Sequence, residues 1–403
     1  MPARPRLRPG LPRAWRDPTT LQVGLAPGPG VVLTGVRPGD EALLGALDGA
    51  HDLDQLRQLA ARHHVAHSRL AELIDVLGRS RLILDDVRSP VADRADLTRL
   101  GEVARARLAP DADAWSLVHD TDGLRLIAAR GRRHVVIEGG GRFASALAAT
   151  LLATGVGAVT LRAPGRVRAG DVLPAGAAPV EVGRPWPEVA LRARARLAGA
   201  PLSASGQPPA PTQPSAPAVR AFGDADLAVL VGIDVLDSRV GDDLVRRDVP
   251  HLAVVVSADR IVVGPLVRPG RSACLRCLDL HRRDRDPAWP HLVAQLLGRR
   301  GYPAPVGESA LCTAAAGLAA LQVLAELDAA HTGRPLAPDA VGRTLEISLP
   351  DAAVRRRPWR PHPGCGCSRL PTAPVVQATV VPATAPPSGS PARGPGPWPM
   401  MVP

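Results

Sequence analysis

The segment HVVIEGGGRFASALAATLLATGVGAVTLRAPG, residues 134–165, decides how the chain is read. It opens on a short apolar, β-branched run suited to a buried strand. Three glycines follow, then an Ala- and Leu-rich stretch of helical character, then AVTLR as a second strand. Strand, glycine turn, helix and strand begin a doubly wound nucleotide-binding domain. Gly139, Gly141 and Ala144 fit G-x-G-x-x-A, in which small residues let a phosphate approach the helix N-terminus. The same glycines also serve plain strand–helix packing, and the motif alone does not separate the two. The second strand ends in Arg162, Ala163, Pro164 and Gly165, where such a domain normally places an acid.

Downstream, DLAVLVGID (226–234), HLAVVVS (251–257), RIVVGPLV (260–267) and RTLEISL (343–349) are strand-like runs. ALCTAAAGLAALQVLAEL (310–327) predicts a buried, closely packed helix. Together they predict an α/β, Rossmann-like domain over 131–370. The Pro-, Ser- and Ala-rich stretch 201–219 reads as an insertion, and 371–403 as a disordered tail of low complexity.

Residues 1–15 read as a flexible arm, and 16–88 as a small α+β unit. TLQVGL and GVVLTGV suggest strands. Three short helical patterns follow: Leu43, Leu44 and Leu47; then Leu53, Leu56 and Leu59 behind an Asp52–Gln55 capping box; then Leu70, Leu73, Ile74 and Leu77. RLILDD adds a strand. Strands followed by three helices give a winged-helix-like domain. The connecting segment 89–130 carries DLTRLGEVARARL, expected as a helix, and GLRLIAAR, expected as a strand.

Cys274 and Cys277 form C-L-R-C, and Cys365 and Cys367 form C-G-C. Four thiolates in two close pairs are the ligand set of a structural, tetrahedral zinc site with no open position for catalysis. His281 and His362 are alternative ligands. Cys312 opens the Ala-rich helix and reads as a core thiol, or as a nucleophile activated by the helix N-terminus. Asp234 and Asp237 lie beyond the C-terminal end of an apolar strand, where ligands of doubly wound sheets bind.

The net charge is +11, and all 49 basic residues are Arg. They are scattered, which favours solubility over nucleic-acid binding. Two Phe and one Tyr, within an aromatic content of 2%, leave few base-stacking platforms. No run reaches the ~18 apolar residues of a membrane span. The basic N-terminus lacks a secretory apolar region, so a cytoplasmic location is expected.

The order strand, GxGxxA, helix, strand, D-x-x-D, GPLVRPGRSACLRC, small-residue helix and second Cys pair resembles the ThiF/MoeB-type family, the ubiquitin-like-modifier-activating enzymes. The resemblance covers about 131–370. It implies adenylation of a carboxylate with ATP and magnesium. GPLVRPGRSACLRCLDLHR and HPGCGCS more narrowly resemble the cyclodehydratase-associated branch, whose members accompany YcaO enzymes in making thiazole- and oxazole-modified peptides. The N-terminal unit resembles PqqD, the recognition element that binds a precursor's leader peptide. That resemblance implies strand addition at Val31, Val32, Leu33 and Thr34 beside Leu70, Leu73, Ile74 and Leu77. The ThiF/MoeB-type resemblance allows a homodimer, since relatives of that fold often dimerise.

This chain departs from the family where phosphates and ribose are held. The family's acid pair falls on Ala163 and Gly165, a phosphate-holding Arg falls near Pro174, and no Lys exists. Asp237 matches the retained acid. At roughly 1.5–3 kcal/mol per charged hydrogen bond, these losses weaken ATP and magnesium binding by several kcal/mol. The leading expectation is therefore a scaffold that presents a leader peptide to a YcaO-type cyclodehydratase. The alternatives are an active adenylyltransferase with Asp237 on magnesium, and a winged-helix DNA binder, which Glu72 and Asp75 on the third helix disfavour.

Overall fold

Alternation in TLQV turns Leu21 and Val23 inward and leaves Gln22 half-buried, the pattern of a strand with one face on a core. A computed structural model of the chain describes residues 3–85, 91–119, 121–198, 224–298, 306–329, 331–332 and 337–369. The insertion expected over 201–219 and the tail over 371–403 lie outside the described residues.

The N-terminal part contains β1 (Pro5–Leu7), β2 (Arg13–Asp17), β3 (Thr20–Val23) and β4 (Val31–Leu33), then α1 (Pro38–Ala46), α2 (Leu53–Arg62), α3 (His67–Arg79) and β5 (Ile83–Asp85). An antiparallel sheet runs in the order β2-β3-β4, and β1 pairs with β5. Asp52 and Gln55 form the expected capping box at the start of α2. Leu21, Val23, Leu33, Leu43, Leu56 and Leu77 share one core.

Described residues of the arm expected over 1–15 are instead built in, β1 on β5 and β2 on β3. Beyond the strands, Arg8 is only 5% exposed. Its guanidinium donates to the carbonyls of Arg81, Ser116 and His119.

The connector forms α4 (Val91–Leu100), α5 (Glu102–Val118) and α6 (Gly123–Arg130). GLRLIAAR, expected as a strand, is the helix α6. Asp122 caps it by accepting from the Leu124 N–H at 3.0 Å. Its apolar spacing suits either element, and the cap decides.

The large domain continues with β6 (His134–Glu138), α7 (Arg142–Ala153), β7 (Ala158–Arg162), α8 (Trp186–Leu197), β8 (Leu227–Ile233), α9 (Ser238–Arg246), β9 (His251–Val256), β10 (Arg260–Val267), α10 (Leu275–Arg285), α11 (Trp289–Leu297), α12 (Ser309–Asp328), β11 (Arg343–Ser348) and β12 (Arg355–Pro358). The sheet order is β12-β11-β10-β9-β8-β6-β7. Strands β7, β6, β8 and β9 are parallel, and the remaining pairings are antiparallel. One sheet face buries α7, α8 and α12. The other buries α9, α10 and the four paired cysteines.

Helix α12 is the one described helix long and apolar enough to cross a bilayer, against the expectation that none would be. Its alanines pack on the sheet core, and just over half of its apolar window is buried there. The buried pair Arg130–Asp328, with Nε–Oδ1 at 2.9 Å, fastens α6 to its C-terminal end.

Candidate functional site

In an open α/β sheet, ligands bind where successive crossovers leave in opposite directions. Here that point lies between β6 and β8. A cleft of about 350 Å³ opens there, within the usual range for small-molecule sites. Its walls include Pro164, Val231, Ile233, Leu236 and, from α11, Leu296 and Leu297.

The glycine turn forms one rim. Gly139 has φ +126°, and a Cβ there would sit 2.5 Å from the Val231 carbonyl. Close packing on β8 thus demands glycine at this position with or without a ligand. Gly141, at φ +94°, precedes α7, and Ala144 is buried within the helix. Arg142, in the first turn of α7, is not among the residues lining the cleft. It donates to the carbonyls of Gly170 and, at 3.1 Å, Gly307.

Three carboxylates line the cleft. Glu138 ends β6 and pairs with Arg162 of β7 at 3.3 Å. Burial pushes its carboxyl up, against the pull of Arg162. Asp237 caps α9 and holds the Arg239 guanidinium at 2.8–3.2 Å. Those hydrogen bonds keep it below the usual carboxylate range. Asp234 is exposed and takes φ +59°, a conformation Asp tolerates better than most residues. Among the described residues lining the cleft there is no Arg. Pro174, where the family has a phosphate-binding Arg, lines a separate cavity beside α7 and α8. The cleft therefore offers an apolar wall and three acids, two of them already paired with the guanidiniums of Arg162 and Arg239. Sequence reasoning missed Glu138, whose only signal was an acid ending an otherwise apolar strand.

The four cysteines do converge. Cys274 precedes α10, Cys277 lies in its first turn, and Cys365 and Cys367 come from the chain beyond β12. All four are buried, with sulphurs within 4.8 Å of one another. The separations are 3.8 Å for 274–277, 3.6 Å for 274–365 and 3.4 Å for 277–367. Four sulphurs at ~2.3 Å around a tetrahedral zinc would stand about 3.8 Å apart. The donor set and spacing fit zinc. The Cys274 thiol and the His362 N–H lower the pKa of Cys277. Burial and the Cys277 neighbour push Cys367 up to about 11. Zinc would draw all four into the thiolate form.

Neither histidine belongs to the cluster. His362 binds Asp284 at 2.7 Å through Nε2 and accepts from the Gly364 N–H through Nδ1. His281 Nε2 meets the Arg360 carbonyl at 3.0 Å. Cys312 is fully buried, and burial pushes its thiol up to about 11, which suits a core residue.

In the N-terminal part, β4 pairs with β3 on one side, and no described strand covers its other side. Val32 is 41% exposed, Thr34 is exposed, Val31 is half-buried and Leu33 is buried. Leu70, Leu73, Ile74 and Leu77 are all buried in the core. They hold α3 on the sheet rather than lining an open groove, a correction to the surface role expected of them. Arg69, in the first turn of α3, fixes this helix beside the end of β4. It donates to the Gly35 carbonyl at 3.2 Å and pairs with Asp40 at 3.3 Å.

No family model and no curated protein matches the chain. Solved structures do. Escherichia coli MccB with AMPCPP and MccA is similar at TM-score 0.59 and 14% identity, over 90% of this chain and 99% of that one. The microcin C7 biosynthetic enzyme MccB in complex with N-formylated MccA is similar at TM-score 0.57 and 14% identity, over 90% and 99%. PaaA is similar at TM-score 0.58 and 15% identity, over 87% and 98%.

Proposed function

From the ThiF/MoeB-type fold that this chain shares with MccB and PaaA, we propose that it is a precursor-peptide-binding protein of ribosomal peptide modification. The observation that carries this reading is the uncovered side of β4 beside α3. A strand edge offers unmatched backbone donors and acceptors, and an extended leader peptide satisfies them by adding a strand. On this reading the N-terminal part is a winged-helix-like, PqqD-like recognition element. Val31, Val32, Leu33 and Thr34 form the receiving strand. The MccB structures containing MccA support a peptide partner for this architecture.

The cleft supports a degenerate nucleotide site, because carboxylates line it and the guanidiniums beside it, Arg162 and Arg239, are taken up by two of them. The ATP chemistry then belongs to a partner, and a YcaO-type cyclodehydratase is the one the sequence motifs favour. Zinc at Cys274, Cys277, Cys365 and Cys367 is structural, joining α10 to the end of the folded chain. Hydrogen–deuterium exchange on the full chain tests the reading. Precursor peptides encoded beside its gene should slow exchange at Val31–Leu33. Unchanged exchange there with every such peptide would refute it.

A second reading, ATP-dependent adenylation, rests on the cleft itself and on Asp237. Pyrophosphate exchange by the purified chain alone would favour it over the scaffold.

A further inference from the structure

The far edge of the large sheet carries a surface that neither the peptide strand nor the cleft uses. All four residues of β12 (Arg355, Arg356, Arg357 and Pro358) are exposed. Alternation puts Arg355, Arg357 and Trp359 on the sheet face that also packs α10. Trp359 is 7% exposed and donates through Nε1 to Thr344 Oγ1 at 3.1 Å. Guanidinium groups cover it: Arg285 at 5.4 Å, Arg282 at 5.8 Å and Arg357 at 6.0 Å from the ring centre.

These cations outnumber their partners. Arg282 has Asp279 at 3.6 Å, Arg357 has Glu346 at 3.4 Å and Arg355 has Asp351 at 3.9 Å. Arg285 and Arg360 have no acid partner among the described residues. Arg282 is held below its ordinary pKa, first by burial and then, after the opposing pull of Asp279, by the like charge of Arg357. An incoming anion relieves that repulsion. Every cation here is a guanidinium, which matches a carboxylate with two parallel hydrogen bonds.

Residues 371–403 contain no Asp or Glu to supply that anion. A single-stranded nucleic acid would want exposed rings to stack on, and the ring here is covered. An extended polypeptide finds more. The Trp359 N–H points inward to the Gly342 carbonyl at 2.8 Å. Alternation therefore turns the Arg356 N–H and C=O outward, and Pro358, which lacks an N–H, falls on the same outer side. A short, charged edge of this kind repels neutral strands. It accepts one whose acids meet the arginines.

We propose that Arg282, Arg285, Arg355, Arg357 and Arg360, gathered around Trp359, form a docking surface for an acidic segment of a partner polypeptide. The test uses the full chain and a fluorescent 12-residue Glu-rich peptide, a Gln-for-Glu version, and an oligonucleotide of equal charge. The Glu peptide should bind in a salt-dependent way and the Gln peptide should not. The double variant Arg285→Ala/Arg360→Ala should weaken binding about tenfold. A control double variant, Arg57→Ala/Arg79→Ala, removes two exposed arginines from the N-terminal part. It should weaken binding less than about twofold, an effect of net charge alone. Zinc content and circular dichroism, unchanged in both variants, show that each is folded. Equal losses in the two variants, no binding of the Glu peptide, or tighter binding of the oligonucleotide would each overturn the proposal.

Discussion

Glu138 and Arg162 stand opposite one another in register at the carboxyl ends of β6 and β7, with Oε2 3.3 Å from Nε. Arg162 sits one residue before Ala163, the position at which the resemblance to the ThiF/MoeB-type family implies an acid. The acid in this chain comes from the neighbouring strand and is already engaged by a guanidinium.

ATP with magnesium should therefore leave the melting temperature of the protein unchanged within about 1 °C. Ala163→Asp should restore a charged hydrogen bond worth roughly 1.5–3 kcal/mol, or about tenfold or more in nucleotide affinity. Thermal unfolding reads the first and calorimetric titration the second. Equal affinities for the native chain and the variant would contradict a degenerate site.

Zinc should be present at one ion per chain. Cys274→Ser should abolish it and lower the melting temperature by on the order of 10 °C, because the metal joins segments 91 residues apart. Metal analysis and thermal unfolding check this, and an unchanged metal content would remove the site.

Arg8→Ala leaves the carbonyls of Arg81, Ser116 and His119 without their shared donor. The expected cost is about 3 kcal/mol, visible as a lower urea midpoint at constant slope. A change below about 0.5 kcal/mol would return the N-terminal residues to the status of a loose arm.

His251 is fully buried, and burial lowers its pKa from 6.5 to about 4, against a hydrogen bond to the Val249 carbonyl. The folded pKa lies below the unfolded one, so the unfolded chain takes up the proton first as pH falls. Stability should drop by about 3 kcal/mol from this residue between pH 6.5 and 4. His251→Leu should flatten that part of the pH–stability curve. Identical curves would show that other groups set it.

The parts of this fold that were legible in sequence follow apolar periodicity or cysteine spacing. Strands β6 to β11, helix α12 and the converging Cys pairs all carry such signals. What was illegible depended on polar or long-range partners. GLRLIAAR has spacing that suits either element, and a single cap at Asp122 makes it a helix. Strand β12 is RRRP, with no apolar residue facing either side, and only pairing with β11 reveals it. Arg8 looks like one more arginine in a basic arm until its three carbonyls are in place. Leu70, Leu73, Ile74 and Leu77 read equally well as groove or as core, and burial assigned them to the core. Glu138 gained meaning only when the register brought Arg162 beside it.

The decisive measurement is fluorescence polarisation of labelled precursor peptides, encoded beside the gene, against the full chain and its Val32→Pro variant. Proline removes a backbone donor from β4 without entering the core, since Val32 is 41% exposed. Binding by the native chain, weakened about tenfold or more in the variant, is the predicted result. No binding by the native chain, or equal binding by both, would contradict peptide capture at the β4 edge.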